Sequence, residues 1–303
     1  MQFANPSSYG LNGQSFAGFG YNTFSIKSNE KIDSKIFYGA IGFNDANFSL
    51  GVDFNNFQIN SYGLTQNTVN VSYIYHLEIG RSLYLLPSLS IGFGSHTLQS
   101  EDLIFGDQLD LLTGSIFISS NDPLSLASLN NNFFDFSASM LLYNEHFLVG
   151  VAIKHLNQPD LSYTKEFEFK RPISFSLQVA YERDINYYGR GFLPENSYLF
   201  LYNSITSVGD LAKIYAGQDL ILGGFSIGFH ELYTKNKLSS ALLLGLNTRI
   251  NVDEFEFNFS YNIPVYQDVA FPPSVFELSM IIKFDRFLRN NSGYFKRLKI
   301  EGF

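Results

Sequence analysis

The sequence predicts an all-β chain, a transmembrane antiparallel barrel of about fourteen strands with short periplasmic turns and longer extracellular loops. Three observations predict it. The first is alternation. From Val252 to Ile263 every second residue after Phe255 is apolar (Phe255, Phe257, Phe259, Tyr261, Ile263), and Glu256, Asn258, Ser260 and Asn262 stand between them. Strand side chains alternate between faces, whereas a helical period of about 3.6 would scatter these residues round a cylinder. The second is composition. Charged residues make up only 16% and aromatics reach 17%, with 32 Phe and 19 Tyr. A soluble domain carries roughly 25% charge, so this chain lacks the Lys and Glu that would coat a water-facing surface. The third is the pairing of a mean hydropathy near zero with no apolar run of about 18 residues, which excludes a membrane helix but not membrane strands. Alternation alone does not say which face is wet, so a soluble sandwich is the competing fold.

The first strand is expected over Gln14–Ile26 and the second over Lys35–Asn44. The third, Asn47–Phe57, sets Phe48, Leu50, Val52 and Phe54 against Ser49, Gly51, Asp53 and Asn55. The fourth, Asn67–Glu78, sets Val69, Val71, Tyr73 and Tyr75 against Asn70, Ser72, Ile74 and His76. The fifth, Ser82–His96, carries Pro87, whose missing N–H predicts a bulge or local break. A long segment, Thr97–Asn132, then abandons the alternation. Further strands are expected at Phe133–Tyr143, Phe147–Leu156, Pro172–Arg183, Ser197–Thr206, Lys213–Leu222, Phe225–Leu232, Leu238–Ile250, Asp253–Ile263 and Val275–Asp285. The second, ninth and tenth strands are ambiguous in phase. No linker divides the chain, so residues 1–303 read as one barrel domain. Residues 1–13 form a periplasmic or lumen segment and residues 286–303 a basic tail.

Link lengths give an orientation. One set is short: Asn44-Asp45-Ala46, Asn144-Glu145-His146, Gly223-Gly224 and Asn251-Val252. The other holds the long links Thr97–Asn132, Asn157–Arg171 and Pro264–Ser274. Outer-membrane barrels keep short turns in the periplasm and long loops outside, which puts both termini on the periplasmic side. Asp184–Asn196 is the exception, a long link on the short side. The tail residues Arg286, Arg289, Lys296, Arg297 and Lys299 would lie in the periplasm. An outer-membrane protein needs a secretory leader, and Met1-Gln2-Phe3-Ala4-Asn5-Pro6 does not look like one. The numbering is therefore expected to begin after a removed signal.

Chemistry is sparse. A net charge of -8 argues against nucleic acid, and zero Cys excludes disulfides and thiolate metal sites. His76, His96, His146, His155 and His230 lack the spacing of a metal site, and the expectation is no metal, no cofactor and no catalysis. His155 reads as a rim histidine with its own partner. Glu101, Asp102, Asp107 and Asp110 lack the order of a calcium loop and read as solvated. Gly92-Phe93-Gly94 and Gly223-Gly224 read as strand glycines and a turn rather than phosphate loops.

Several short motifs carry a family resemblance. Gly150-Val151-Ala152-Ile153-Lys154-His155-Leu156-Asn157-Gln158-Pro159 resembles the strand and loop start of the PorP/SprF family. Arg171-Pro172 before a strand ending Ala180-Tyr181-Glu182, Asn5-Pro6-Ser7 with Gly10, Phe192-Leu193-Pro194, and Phe276-Glu277-Leu278-Ser279 are similar to the same family. The resemblance implies an outer-membrane barrel of the Bacteroidota tied to type IX secretion and gliding. It implies partners as well: a large secreted surface protein carrying a type B C-terminal domain, and periplasmic components such as a peptidoglycan-linked lipoprotein. The membrane setting adds lipid and lipopolysaccharide. Leu156, Asn157, Gln158 and Pro159 are the candidate partner-binding residues. Pro159 limits the loop, and Asn157 and Gln158 offer amides either to a partner strand or to the loop's own turn. Two other functions stay open: a transport barrel resembling the fatty-acid transporters, with the Asn5-Pro6 segment as a lumen hatch, and a passive porin.

Overall fold

The computed structural model describes residues 5–27, 30–60, 63–99, 104–110, 113–121, 129–163, 168–186, 192–194, 197–237, 239–267 and 274–284. Alternating segments become strands: β1 (Phe16–Lys27), β2 (Glu30–Phe43), β3 (Phe48–Ile59), β4 (Leu64–Tyr75), β5 (Leu77–Gly80), β6 (Leu83–Leu98), β7 (Leu129–Tyr143), β8 (Phe147–Lys154), β9 (Ser174–Asp184), β10 (Ser197–Val208), β11 (Leu211–Leu222), β12 (Phe225–Lys235), β13 (Ser240–Val252), β14 (Phe255–Gln267) and β15 (Ser274–Lys283). Each pairs antiparallel with its sequence neighbours, except that β4 and β5 do not pair with each other. The sheet closes through β1 on β15, and through β4 and β5, which both pair with β6. β4 and β5 are two halves of one stave, so the barrel has the fourteen staves the alternation predicts. Closure leaves no unpaired sheet edge inside hydrocarbon.

The split in that stave lies across from Pro87. The ladder runs down to Ile74↔Ser88 and resumes at Leu77↔Leu85 in the same register. Pro87 has no N–H to offer at the missing rungs. The expected break is real, but it falls on the partner stave, while β6 continues unshifted against β7 through Pro87↔Met140.

The decisive property is which face is covered. On β14, Glu256, Ser260 and Asn262 are buried while Phe255, Phe257, Phe259, Tyr261 and Ile263 are exposed. The other staves repeat this: Leu89, Ile91 and Phe93 on β6, Phe175, Val179 and Tyr181 on β9, and Ile227 and Phe229 on β12 face outward. Ser90, Ser176, Gln178, Ser226 and His230 face inward and are buried. Leaving one large apolar side chain in water rather than burying it forfeits about 1.5–3 kcal/mol. Repeated round the belt, that cost exceeds the stability of any domain. The outer face therefore meets hydrocarbon, which rules out the soluble sandwich. No helix of the described residues is long and apolar enough to cross a membrane, so the crossing is made by strands.

The turn end is tight, with Gly223 in the left-handed region (φ +61°) at the Gly223-Gly224 hairpin. At the loop end, the long segment after β6 carries a short turn at Gly106–Gln108 and an isolated bridge, Leu109↔Ile116. Asp110 there accepts from Thr113 Oγ1, and Asp107 from Ser120 Oγ and the Asn121 N–H. These carboxylates shape their own loop. Glu101, Asp102 and the basic tail from Arg286 to Lys299 lie outside the described residues.

Candidate functional site: the lumen

The N-terminal segment enters the lumen at the turn end. Pro6–Gly13 forms a 3-10 turn capped by Asn5, whose Oδ1 accepts the Ser7 N–H at 3.0 Å. Proline at the first position suits the start of such a turn, because its missing N–H would have no partner there. Ser139 on β7 holds the segment from the wall. Its Oγ lies 3.0 Å from Ser7 N and 2.7 Å from Ser7 Oγ. Asn5, Ser7, Ser8 and Tyr9 are all buried. Glycines make the room. A Cβ at Gly51 would come within 2.6 Å of the Tyr9 ring, and one at Gly42 would collide with the Gly13 carbonyl. Around Tyr9, inward-facing Ile36, Tyr38, Ile74, Leu86, Leu141 and Tyr202 build an apolar core inside the turn-end half of the barrel.

At the loop end the chain after β8 folds over β6 and β7. At His155 (φ +62°) and Gln158 (φ +45°) the backbone turns sharply. His155 Nδ1 reaches Asp135 on β7, and the Gln158 N–H returns to the His155 carbonyl at 3.0 Å. Asn157 then does the work of a peptide group. Its Oδ1 accepts the Phe136 N–H at 3.0 Å and its Nδ2 donates to the Phe134 carbonyl at 2.7 Å, extending the β7 ladder past the end of β8. The buried Pro159 gives its carbonyl to the Arg171 N–H at 2.9 Å. An Asp160↔Lys170 bridge zips the hairpin. Asp160 accepts the N–H groups of Ser162 and Phe169, and the Ser162 N–H, first among several donors, holds its carboxyl below the usual range. The hairpin leans inward. Asn131 Nδ2 donates to the Asp160 and Ser162 carbonyls, and Tyr163 stacks on His96 with its hydroxyl 3.1 Å from His96 Nδ1.

Cavities lie within the barrel. One of about 180 Å³ lies between Pro6 and Tyr9 on one side and His155 and Arg171 on the other, with Asp53, Asn70 and Lys154 in its walls. A second, about 340 Å³, is lined by Tyr215, Asp219, His230, Asn247, Arg249 and Glu256 among others. There Arg249 stands 3.6 Å from Asp219 and 3.4 Å from Glu256, and Lys283 stands 3.1 Å from Glu256. Among the described residues no three His, Asp or Glu side chains converge as a metal site.

The family model described as "Type IX secretion system membrane protein PorP/SprF" matches residues 1–282 of this chain. The chain belongs to the PorP/SprF family. It is an outer-membrane barrel, and the inside-out burial agrees. No curated protein matches the sequence. Among solved structures, the chain is similar to the outer membrane protein Omp33 of Acinetobacter baumannii. Identity is 10% and the TM-score 0.50, over 89% of this chain and 98% of that one. It is also similar to a TodX deltaS2S3 mutant described as a monoaromatic hydrocarbon channel, at 11% identity and TM-score 0.51, over 93% and 92%. At such identities the likeness is one of fold.

In this PorP/SprF barrel the candidate loop divides by role. Leu156 and Gln158 are exposed, Asn157 is spent on β7, and Pro159 is buried beneath the hairpin. The histidines are distributed rather than gathered. His76 bonds Ser49 at 2.9 Å, and His230 bonds Asn262 under a stacked Tyr215. Residues 5–13 pack against inward-facing residues of β2, β3 and β7, where the inward glycines of β2 and β3 make the room. The Arg249–Asp219–Glu256 cluster went unnoticed, although all three occupy inward positions of their strands.

Proposed function

We propose that this barrel is a non-catalytic accessory of type IX secretion that anchors, or helps export, a large secreted surface protein carrying a type B C-terminal domain. The observation that carries the reading is that the chain's own segments occupy the lumen, Pro6–Gly13 from one end and the described residues of the hairpin after His155 at the other. A lumen occupied in this way leaves the external rim and the periplasmic face as working surfaces. Leu156 and Gln158 offer the outward contact, and Asn157 and Pro159 hold the loop that presents them. On the other face, Asn186 Nδ2 donates to the Leu193 and Pro194 carbonyls within the long link Asp184–Asn196. That link is the surface we assign to a peptidoglycan-linked lipoprotein or another component of the secretion system, with lipid and lipopolysaccharide round the belt.

The segments that occupy the lumen speak against a passive porin. A carrier of apolar solutes is disfavoured by the cavity walls, where a greasy ligand would strip solvent from buried charges. The experiment is purification of the tagged barrel from native membranes, wild type beside the Leu156→Ser/Gln158→Ala double variant, with identification of what accompanies it. A type B secreted protein should accompany the wild type and fall sharply with the double variant. Equal recovery removes the loop from the interface, and a wild-type barrel that arrives alone and conducts ions in planar bilayers rejects the accessory role.

A further inference from the structure

Neighbouring staves β7 and β8 differ in length, fifteen residues against eight. Their pairing stops at Ala138↔Ile153, while the other edge of β7 stays paired with β6 up to Leu98↔Leu129. Backbone groups of an antiparallel strand point alternately to its two neighbours. Phe136 points to the β8 side, where its C=O accepts the Leu156 N–H and its N–H donates to Asn157. By the same parity Phe134, Asn132 and Asn130 point that way too. The Phe134 carbonyl is taken by Asn157. Above it, the Phe134 N–H and both backbone groups of Asn132 and Asn130 meet no partner among the described residues. The described residues of the hairpin that would cover them lean into the lumen instead, held there through Asn131. Outward side chains change along this stretch from Phe136 and Phe134 to Asn132 and Asn130, all exposed. The open stretch thus begins where the lipid-facing belt gives way to polar surface.

We propose that this upper edge of β7 is a docking site for an extended segment of a partner polypeptide, which adds as a strand beside it. These donor and acceptor pairs, unpartnered among the described residues, recur every second residue, about 6.6–6.8 Å apart. Only a chain with peptide groups at that repeat satisfies them in series. The first rung is already filled by a peptide mimic, the carboxamide of Asn157, so the incoming strand continues a pattern the molecule has started. Exposed edges are normally blunted with Lys or Pro, and positions 129–136, Leu-Asn-Asn-Asn-Phe-Phe-Asp-Phe, contain neither. The partner's identity as a secreted chain rests on the function proposed above. The edge does not.

The test uses Asn132→Pro. Only the N–H on the open side is lost, and the β6 ladder, carried by the odd-numbered residues, is kept. Asn132→Thr changes the side chain and keeps the N–H. Amide exchange over residues 129–136 is measured in native outer membranes, before and after protease shaving of the cell surface. Wild type and Asn132→Thr should exchange about tenfold more slowly before shaving than after, as one or two added hydrogen bonds require. Asn132→Pro should show no such difference. Equal exchange before and after shaving in the wild type, or protection surviving in Asn132→Pro, overturns the proposal. Protection removed with a shaved protein of another secretion class would sink the type IX cargo reading and leave the docking edge standing. A type B protein held by barrels whose edge exchanges freely would do the reverse.

Discussion

Replacing Tyr9 by Ala should unseat the N-terminal segment. The Tyr9 ring is 1% exposed and lies on the flat floor that Gly51 provides, with Phe16 at 6.3 Å between centroids. Truncating a buried aromatic costs about 3–5 kcal/mol, and the bonds of the segment to Ser139 and its Asn5 cap do not replace that packing. Allowing for partial wetting of the lumen, about 2–4 kcal/mol of docking is lost, which is roughly 30- to 1000-fold in the population of the undocked state. The chain has no cysteine, so a Ser8→Cys substitution at a buried position gives a single reporter. Maleimide labelling of that thiol in reconstituted barrels should accelerate by that factor when Tyr9→Ala is added, and single-channel openings should appear in planar bilayers. Labelling at the same rate with and without the ring would refute the idea that Tyr9 locks the segment, and with it the account of the glycine floor.

Other predictions concern the loop end. Asn157→Ala deletes both bonds to the β7 edge, each worth about 1 kcal/mol net, so exchange of the Phe136 amide should rise by roughly ten- to thirtyfold without loss of the barrel. Unchanged exchange would mean the carboxamide does not extend the ladder. Asp160 has a folded pKa below its ordinary value, chiefly because of the Ser162 N–H. Its contribution to the hairpin is therefore complete above the unfolded carboxyl range and is lost as pH falls through the depressed value. Pepsin nicking of the hairpin should climb below about pH 4 in the wild type, and Asp160→Asn should already be nicked readily above it. Identical acid profiles would remove Asp160 from the loop's support.

How much was legible depended on what each strand's inner face touches. β9 and β14 put only small or polar residues inward, so alternation marked them cleanly. β2, β10 and β11 were ambiguous because their inner faces carry Ile36 and Tyr38, Tyr198 and Phe200, and Ile221, which pack in the core round the N-terminal segment. With both faces apolar, a period of two is erased. The break at Pro87 was visible, but not the stave it would split, since a lost N–H is felt by the acceptor opposite. The inward lean of the hairpin after β8 could not be read at all. It follows from Asn131, His96 and Asp135 standing at one rim of the closed barrel, a proximity created by topology rather than by local sequence.

The most direct measurement uses tryptophan, which the chain lacks. Single substitutions Phe257→Trp and Asn258→Trp place the indole on opposite faces of β14, one exposed to the belt and one lining the larger cavity. In bilayers with brominated acyl chains, fluorescence from position 257 should be strongly quenched and that from position 258 spared. Quenching at 258 with none at 257 would mean that the phenylalanines face inward, and that this polypeptide does not sit in lipid as described.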